Sequence, residues 1–336
     1  MTKRGLDVDR RRALRMLGAA VLCGSLVAGC GGGGEAASTG AGATLDPADP
    51  TKISVGISVD EPTLMNLYAA MDEGIFKENG LDVTLVASQS GNGAILQSGS
   101  IQMLVGPPAT ITSQLEGAQI TAVGRSAVTS HFMFAGPNSG VRSTADLRGK
   151  KIGLSAPGGT ADLQVHRATE LAGIDIDDVT FAYIGAQAGI LEAVKTGQVD
   201  VGYATKATVR AAEEWGGVEI ASRQKGLDAN VLSYPIGVND AWAAENPEVI
   251  RAFLKALTEA TQLVIDDRAV GEQTLVEHLN FTQAEAALEY DVYASGLDPD
   301  LKMPEEYVKR LLDFANAGEE NPKDFYTDEY LPKASS

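Results

Sequence analysis

Cysteine occurs only twice, at Cys23 and Cys30. Both precede the segment expected to fold, so that segment can hold no disulfide, no thiol nucleophile and no cysteine metal ligand. Histidine is nearly as scarce. His131, His166 and His278 are scattered, and no His-Glu-x-x-His pair occurs. No Gly-x-Ser-x-Gly elbow stands at a strand-to-helix junction. The sequence therefore predicts no metal centre, no cofactor and no catalytic residues. Positive charge is also in short supply: 27 Lys and Arg stand against 45 Asp and Glu, a formal net charge of −18. Residues 1–29 carry six of the bases and two of the acids, which leaves the remainder at about −22. Such a surface repels nucleic acid and anionic headgroups and keeps the protein soluble, but says nothing about a pocket. Long apolar runs are missing as well. The longest, Met16 to Gly29, has 14 residues, nearly all apolar or small. A helix needs about 20 to cross the ~30 Å of a bilayer core.

That short run has another reading. Lys3, Arg4, Arg10, Arg11, Arg12 and Arg15 precede it, as in the basic head of a secretory signal. Its end, Val27-Ala28-Gly29-Cys30, resembles a bacterial lipobox, which implies export and lipidation of Cys30 as the mature N-terminus. The protein is then expected on the outer face of the cell membrane, held by its lipid. Asp9-Arg10-Arg11-Arg12-Ala13-Leu14-Arg15 resembles a twin-arginine export motif, and the export route stays open. Gly31 to about Pro50 is rich in Gly, Ala, Ser and Thr without hydrophobic period, the composition of a flexible tether.

From Lys52 onward strands and helices alternate. Ile53, Val55 and Ile57 alternate as a strand, and Leu64, Leu67, Tyr68, Met71 and Ile75 recur at helical spacing. Gly80 ends that helix, and Leu81, Val83 and Leu85 form the next strand. A helix closed by Gly99 and the apolar run at Ile101 to Val105 follow. The unit then recurs: strand Ile152 to Leu154, helix Ala161 to Ala172 stopped by Gly173, strand Val179 to Tyr183, and a helix closed by Gly197. Gly99 and Gly197 lie 98 residues apart. The same offset pairs Ser98 with Thr196, Ile101 with Val199, Gln89 with Gln187, Gly91 with Gly189 and Ala109 with Ala207. Two similar α/β units in tandem, each with a mainly parallel sheet, are expected.

After Tyr234-Pro235 comes a strand, Ile236 to Val238, then a long helix with Asn246 as its natural N-cap and Pro247 in its first turn. Val249, Phe253, Leu257 and Val264 give that helix an apolar face, and Pro304 starts a later one packed by Leu311, Leu312 and Phe314. A chain that builds one lobe, crosses to a second and returns has two crossings. Ala135-Gly136-Pro137-Asn138 and Leu232-Ser233-Tyr234-Pro235 are the expected ones. The expected layout is a signal at 1–29, a tether at 30–50, a first lobe at 51–136 plus 235–336 with the C-terminal helices, and a second lobe at 137–234.

Several segments carry a resemblance to a known family. The stretch Asp72 to Val83, Asp-Glu-Gly-Ile-Phe-Lys-Glu-Asn-Gly-Leu-Asp-Val, resembles the first helix and second strand of solute-binding proteins of bacterial ABC importers. Ala145-Asp146-Leu147-Arg148-Gly149-Lys150-Lys151-Ile152, Gly197-Gln198-Val199-Asp200 and Glu245-Asn246-Pro247-Glu248-Val249 match as well. The similar branch serves nitrate, taurine, alkanesulfonates and thiamine pyrimidine precursors. The resemblance spans roughly residues 52–265 and implies a type II periplasmic-binding fold: two Rossmann-like α/β lobes joined by two hinge crossings, with ligand held between them. It also implies a permease partner and a monomeric receptor that binds without chemistry. An enzyme of the same fold is the alternative from another class, similar to pyrimidine synthases, which need a pocket histidine and a cysteine-rich iron motif.

Ligands of open α/β sheets bind beyond the carboxyl ends of the strands, which selects the candidate loops. In Gly153-Leu154-Ser155-Ala156-Pro157-Gly158-Gly159-Thr160 a strand ends, a Gly-rich loop follows and a helix begins. Free N–H groups and the helix dipole there favour an anion. The spacing is close to a P-loop, but Gly159 stands where that motif needs lysine. The resemblance implies that this loop approaches the ligand through small hydroxyl residues. Thr160 keeps the hydroxyl, while Gly159 replaces a frequent serine. Ser155, Gly158, Gly159 and Thr160 are thus candidate contacts, with a tight turn capped by Thr160 as the plain alternative. The matching loop of the first unit offers Ser58, Asp60 and Thr63. Asp60 and Glu61 are expected to cap the following helix; facing the cleft, they would favour a cationic or hydrogen-bond-donating solute. Gln89, Ser90 and Pro108 complete the first wall, and Gln187, Tyr203 and Lys206 the second. Tyr203 could stack on a planar ligand, and Lys206 could pair with an acid group or lie solvated. The combined expectation is a lipid-anchored receptor for a small polar, anionic or heteroaromatic solute, of the nitrate, sulfonate and taurine class, with a pyrimidine thiamine precursor as the alternative ligand.

Overall fold

A computed structural model describes residues 45–57, 61–87, 92–106, 109–128, 132–155, 157, 160–222 and 233–332. Cys30 and the expected signal lie outside the described residues. Among these residues no helix is long and apolar enough to cross a membrane. The expected tether ends earlier than Pro50. The Asp46 carboxylate accepts from the Ala48 N–H at 2.8 Å, and Leu45 packs on the first core. Residues 45–50 are therefore a turn folded onto the body, closed by an Asx-type bond that the composition does not reveal.

The first unit runs β1 (Thr51–Ile57), α1 (Met65–Asp72), α2 (Ile75–Glu78), β2 (Leu81–Ala87), α3 (Asn92–Gln97), β3 (Met103–Val105), α4 (Ala109–Leu115) and β4 (Ile120–Val128). The second runs β5 (Phe132–Ala135), β6 (Lys151–Leu154), α5 (Thr160–Leu171), β7 (Thr180–Tyr183), α6 (Gln187–Lys195), β8 (Val201–Ala204), α7 (Lys206–Glu213) and β9 (Val218–Ala221). The chain then returns as β10 (Ser233–Asn239), followed by α8 (Asp240–Glu245), α9 (Pro247–Asp266), α10 (Arg268–Leu279), α11 (Gln283–Tyr293) and α12 (Glu305–Phe314).

Two five-stranded sheets result, ordered β2-β1-β3-β10-β4 and β7-β6-β8-β5-β9. In each, the first three strands are parallel and the last two antiparallel to their neighbours. The tandem repeat is thus a repeat of topology. Gly99 and Gly197, the matched helix stops, both take φ of 75°, the left-handed conformation that favours glycine.

Strand pairing moves both expected crossings. Phe132–Ala135 pairs with β8 and β9, so it belongs to the second sheet and the passage falls earlier, between Val128 and Phe132. Ser233 and Tyr234 already pair with β4, so the return is complete before Pro235. The limits at 136 and 234 therefore do not coincide with the sheets. Both errors have one cause: Phe-Met-Phe-Ala and Ser-Tyr-Pro-Ile are strands buried on both faces, and a Gly-Pro or Tyr-Pro step beside them has the local chemistry of a turn. The long helix α9 starts at Pro247 as expected, but the Asn246 side chain does not cap it; its amide donates to the Trp242 carbonyl at 2.9 Å.

Three large cores hold the molecule together. One joins β1, β3 and β10 to α9, with the Phe76 and Phe253 rings stacked at 5.1 Å. Another lies under β6 and β8. The third mixes the two units: Met65 and Ala69 of α1 meet Phe132 and Phe134 of β5, Val209 of α7, and Tyr290 and Tyr293 of α11. Packing at the centre of the second sheet leaves no room beside Gly202. A Cβ there would sit 2.7 Å from the Phe134 ring and 2.8 Å from Ile190. Gly202→Ala should therefore destabilise the fold by about 1–3 kcal/mol, the usual cost of overpacking. Urea unfolding at constant m-value measures it; an unchanged midpoint would show that the ring can move aside.

Candidate functional site

The site grows from the turn after β1. Pro62 opens a single 3-10 turn, Pro62–Leu64, and Glu61 precedes it in an extended conformation. The Glu61 side chain does not cap that turn, contrary to expectation. It is folded inward, only 7% exposed, where the hydroxyl of Tyr234 on β10 donates to its Oε1. Tyr203 of β8, 5% exposed, is close enough that a charge on Glu61 raises its pKa further. Desolvation pushes the Glu61 carboxyl up to about 8, because a buried carboxylate loses its hydration. At neutral pH Glu61 is therefore mostly a neutral acid, and the Tyr203 phenol is held well above its ordinary value, mainly by burial.

A second buried carboxyl belongs to α11. Glu289 of α11 is fully buried and its Oε1 accepts from the Ala207 N–H at 2.6 Å, in the first turn of α7. The Lys206 N–H and the Thr205 hydroxyl also bond it. Burial raises its pKa, these donors pull it back, and the balance stands at about 7. Gln187 completes the cap: its Oε1 accepts from the Thr205 N–H and the Thr208 hydroxyl, each at 3.1 Å. The N-terminus of α7 is thus satisfied from inside the protein.

Between these groups lies a cavity of about 580 Å³. Glu61 and Pro62 form one wall, Gln187, Leu191, Thr205 and Thr208 a second, and His278, Leu279, Asn280, Phe281 and Glu285 a third. His278 is fixed by Asp72, with Nε2 at 3.0 Å from both carboxylate oxygens, and its ring stacks on Tyr68 at 4.3 Å. Glu285 and Thr282 form a capping box that starts α11. Asn280 ends α10 at φ of 55° and turns the chain into this wall.

Of the expected contacts, the structure brings Gln187 to the cavity and places Tyr203 beside Glu61. Lys206 goes elsewhere. Its ammonium pairs with Glu219 of β9 at 2.5 Å and lies 5.0 Å over the Phe132 ring. Thr63 is buried in the turn and does not line the cavity. Ser155 is exposed, with its carbonyl accepting from the Gly185 N–H at 3.1 Å. Thr160 opens α5. Ser58, Asp60, Gln89, Ser90, Pro108, Gly158 and Gly159 lie outside the described residues. The sequence reading expected Glu61 as a helix cap with the cleft as its alternative, and it missed the whole His278-to-Glu285 wall. The Thr282-x-x-Glu285 pattern could have located the helix start but not its neighbour in space.

Comparison with known proteins places this arrangement. A family profile described as NMT1/THI5 like matches residues 61–269, well over half of the chain. The chain belongs to the NMT1/THI5-like family. Within reach of the same frame is 4-amino-5-hydroxymethyl-2-methylpyrimidine phosphate synthase of Aspergillus parasiticus, 26% identical over 240 residues. That match takes in 63% of this chain and 66% of that protein, just under two thirds of its length. Among solved structures, the periplasmic aliphatic sulphonate binding protein SsuA of Escherichia coli superimposes with a TM-score of 0.68 at 16% identity, over 85% of this chain and 95% of that one. The alkanesulfonate-binding protein SsuA of Xanthomonas axonopodis pv. citri, bound to MOPS, gives 0.65 at 20% identity, over 85% and 96%. At such identities the likeness is one of fold, and the fold is that of periplasmic binding proteins, as the sequence motifs implied. The NMT1/THI5-like span opens at Glu61 and covers Tyr203 and Tyr234, but stops short of the His278-to-Glu285 wall.

The buried carboxyls make stability depend on pH in a defined direction. The folded pKa of Glu61 is about 8 against an ordinary 4.5, so the folded state holds a proton that the unfolded chain releases. Its contribution is fully present below about 4.5, falls as pH rises, and is lost above about 8, at up to about 1.4 kcal/mol per pH unit. Glu289 adds the same trend up to about 7. Glu61→Gln, which keeps an acceptor for Tyr234, should flatten the fall in unfolding free energy between pH 5 and 8. An identical slope in the variant would place the titrating group elsewhere.

Proposed function

We propose that this chain is an exported solute receptor of the ABC-importer type, with two lobes that close on a small polar solute and hand it to a membrane permease. The observation that carries this reading is the cavity walled by elements of both sheets, Glu61 from the first and Gln187, Thr205 and Thr208 from the second. A solute touching both walls stabilises the closed arrangement, which is the thermodynamic content of capture by hinge closure. The periplasmic-binding fold supports it, and so does the resemblance of Val27 to Cys30 to a lipobox. The receptor acts as a monomer, tethered through Cys30 to the outer face of the cell membrane.

A second reading has an observation in its favour. The Aspergillus relative is named a pyrimidine phosphate synthase, and His278 lines the cavity here. Against it, the sequence has no cysteine after Cys30 and so no cysteine-rich iron motif.

One experiment separates the two. In a thermal-shift screen of nitrate, sulfonates, pyrimidines and small amines, a solute at 100 times its dissociation constant adds about 2.7 kcal/mol of stability. A receptor should return that solute chemically unchanged and show a smaller radius of gyration in solution scattering at saturation. Conversion of the solute would favour the synthase reading, and an unchanged radius would count against closure. For the anchor, Cys30→Ser should move the protein from the membrane to the soluble fraction; a variant that stays with the membrane in equal amount would remove the lipid from the account.

A further inference from the structure

The receptor reading leaves the solute open, and the charges around the cavity narrow it. Among the described residues that line it, the ionisable ones are Glu61, Glu285 and His278, and none is lysine or arginine. His278 already faces the carboxylate of Asp72. Lys206, the cation that the sequence offers to an acidic ligand, is held by Glu219 under the edge of the second sheet. At the N-terminus of α6, Gln187 and Ala188 line the cavity without a side-chain cap, while at that of α7 the Lys206 and Ala207 N–H groups are taken by Glu289. At α7 an internal carboxylate thus occupies the position where a ligand anion would sit.

We infer that this cavity receives a small organic solute that presents a positively charged or N–H-donating nitrogen to Glu61, and that it rejects sulfonate and nitrate. The inference rests on the receptor reading above. An anion entering would meet the carboxylate of Glu285 and find no lysine or arginine among the described lining residues, inside a chain of net charge −18. A cation meets the opposite field. Its arrival favours the ionised form of Glu61, whose orientation the Tyr234 hydroxyl fixes in advance. Leu191, Leu279 and Phe281 supply apolar surface for the body of such a solute, and about 580 Å³ suits a molecule of one or two rings. The third wall lies beyond the family-matched span.

Benzamidinium is the probe: a planar cation with N–H donors on an apolar ring. Calorimetry at pH 7 should show it binding the intact protein, with a smaller radius of gyration at saturation. Glu61→Gln should weaken it by about tenfold or more, and Glu285→Gln, which preserves the capping box, by about threefold. Ethanesulfonate and nitrate should give no heat and no thermal shift. The proposal is overturned by unchanged benzamidinium affinity in a folded Glu61→Gln protein, by no binding of benzamidinium, or by binding of ethanesulfonate or nitrate. Should Glu61→Gln not fold, an unchanged affinity in Glu285→Gln overturns it as well. An anion that binds, compacts the protein and is lost in Gly159→Asp would return the site to the glycine loop, and the receptor reading would stand. If no probe of either sign binds or compacts the protein, the receptor reading itself falls.

Discussion

The pairing of β10 between β3 and β4 is the constraint on which the remaining architecture depends. Among the described residues β4 has no other strand partner in its sheet, and without β10 it keeps backbone bonds to the Phe325–Thr327 segment and to Leu301 besides its helix contacts. Yet β10 follows the entire second unit in sequence. The second sheet differs: its strands β5 to β9 follow one another in sequence, and β9 joins through β5. The first sheet cannot be completed until the whole second unit has been made. This is a fold of long-range contacts, slow to form and cooperative once formed. It also fixes the site. Tyr234 stands at the start of β10, where the ladder with β4 shifts register at Pro235, and its hydroxyl reaches Glu61 in the turn after β1. The position of one cavity wall is thereby tied to the strand that completes the first sheet.

Two buried carboxyls near one cavity are an expensive arrangement. Magnitudes show how each is tolerated. Glu289 collects the Ala207 and Lys206 N–H groups and the Thr205 hydroxyl and remains at about 7; Glu61, where desolvation dominates, rises to about 8. Desolvation outweighs hydrogen bonding in both, and three donors recover only part of it. Replacing such groups by hydrocarbon of equal volume usually stabilises a protein. Their roles differ. Glu289 completes a helix end and joins α11 to α7, whereas Glu61 faces a cavity. Perturbed carboxyls at a cavity wall are where binding chemistry tends to reside.

The parts legible in the sequence are those with local causes. Helix stops at Gly99 and Gly197, the Pro247 start of α9 and the alternation of Ile53, Val55 and Ile57 all follow from backbone freedom or side-chain period within a few residues. The tandem units were readable because the same local causes recur at one offset. What escaped depends on contacts distant in sequence. Ile-Thr-Ala-Val-Gly-Arg-Ser-Ala-Val of β4 lacks a clean period because both of its faces are buried. Phe132–Ala135 is a strand because β8 and β9 flank it. Glu61 has the sequence context of a helix cap, and Tyr234, 173 residues later, bonds it where it is folded inward. Lys206 was a reasonable ligand partner by position; Glu219 and Phe132 claim it in space.

The two units repeat, but the cavity does not. Strand order and the helix stops at Gly99 and Gly197 come in pairs. The third wall has no counterpart, because α10 and α11 occur once and reach across both units, with Tyr290 and Tyr293 in the core shared by α1, β5 and α7. A symmetric frame presents similar helix ends to a solute from either side. An added helical pair breaks that equivalence by filling one end with Glu289 and setting Glu285 and Phe281 opposite Glu61. The repeated part supplies two matching sheets. The chemistry of recognition is then free to reside in the element that is not repeated.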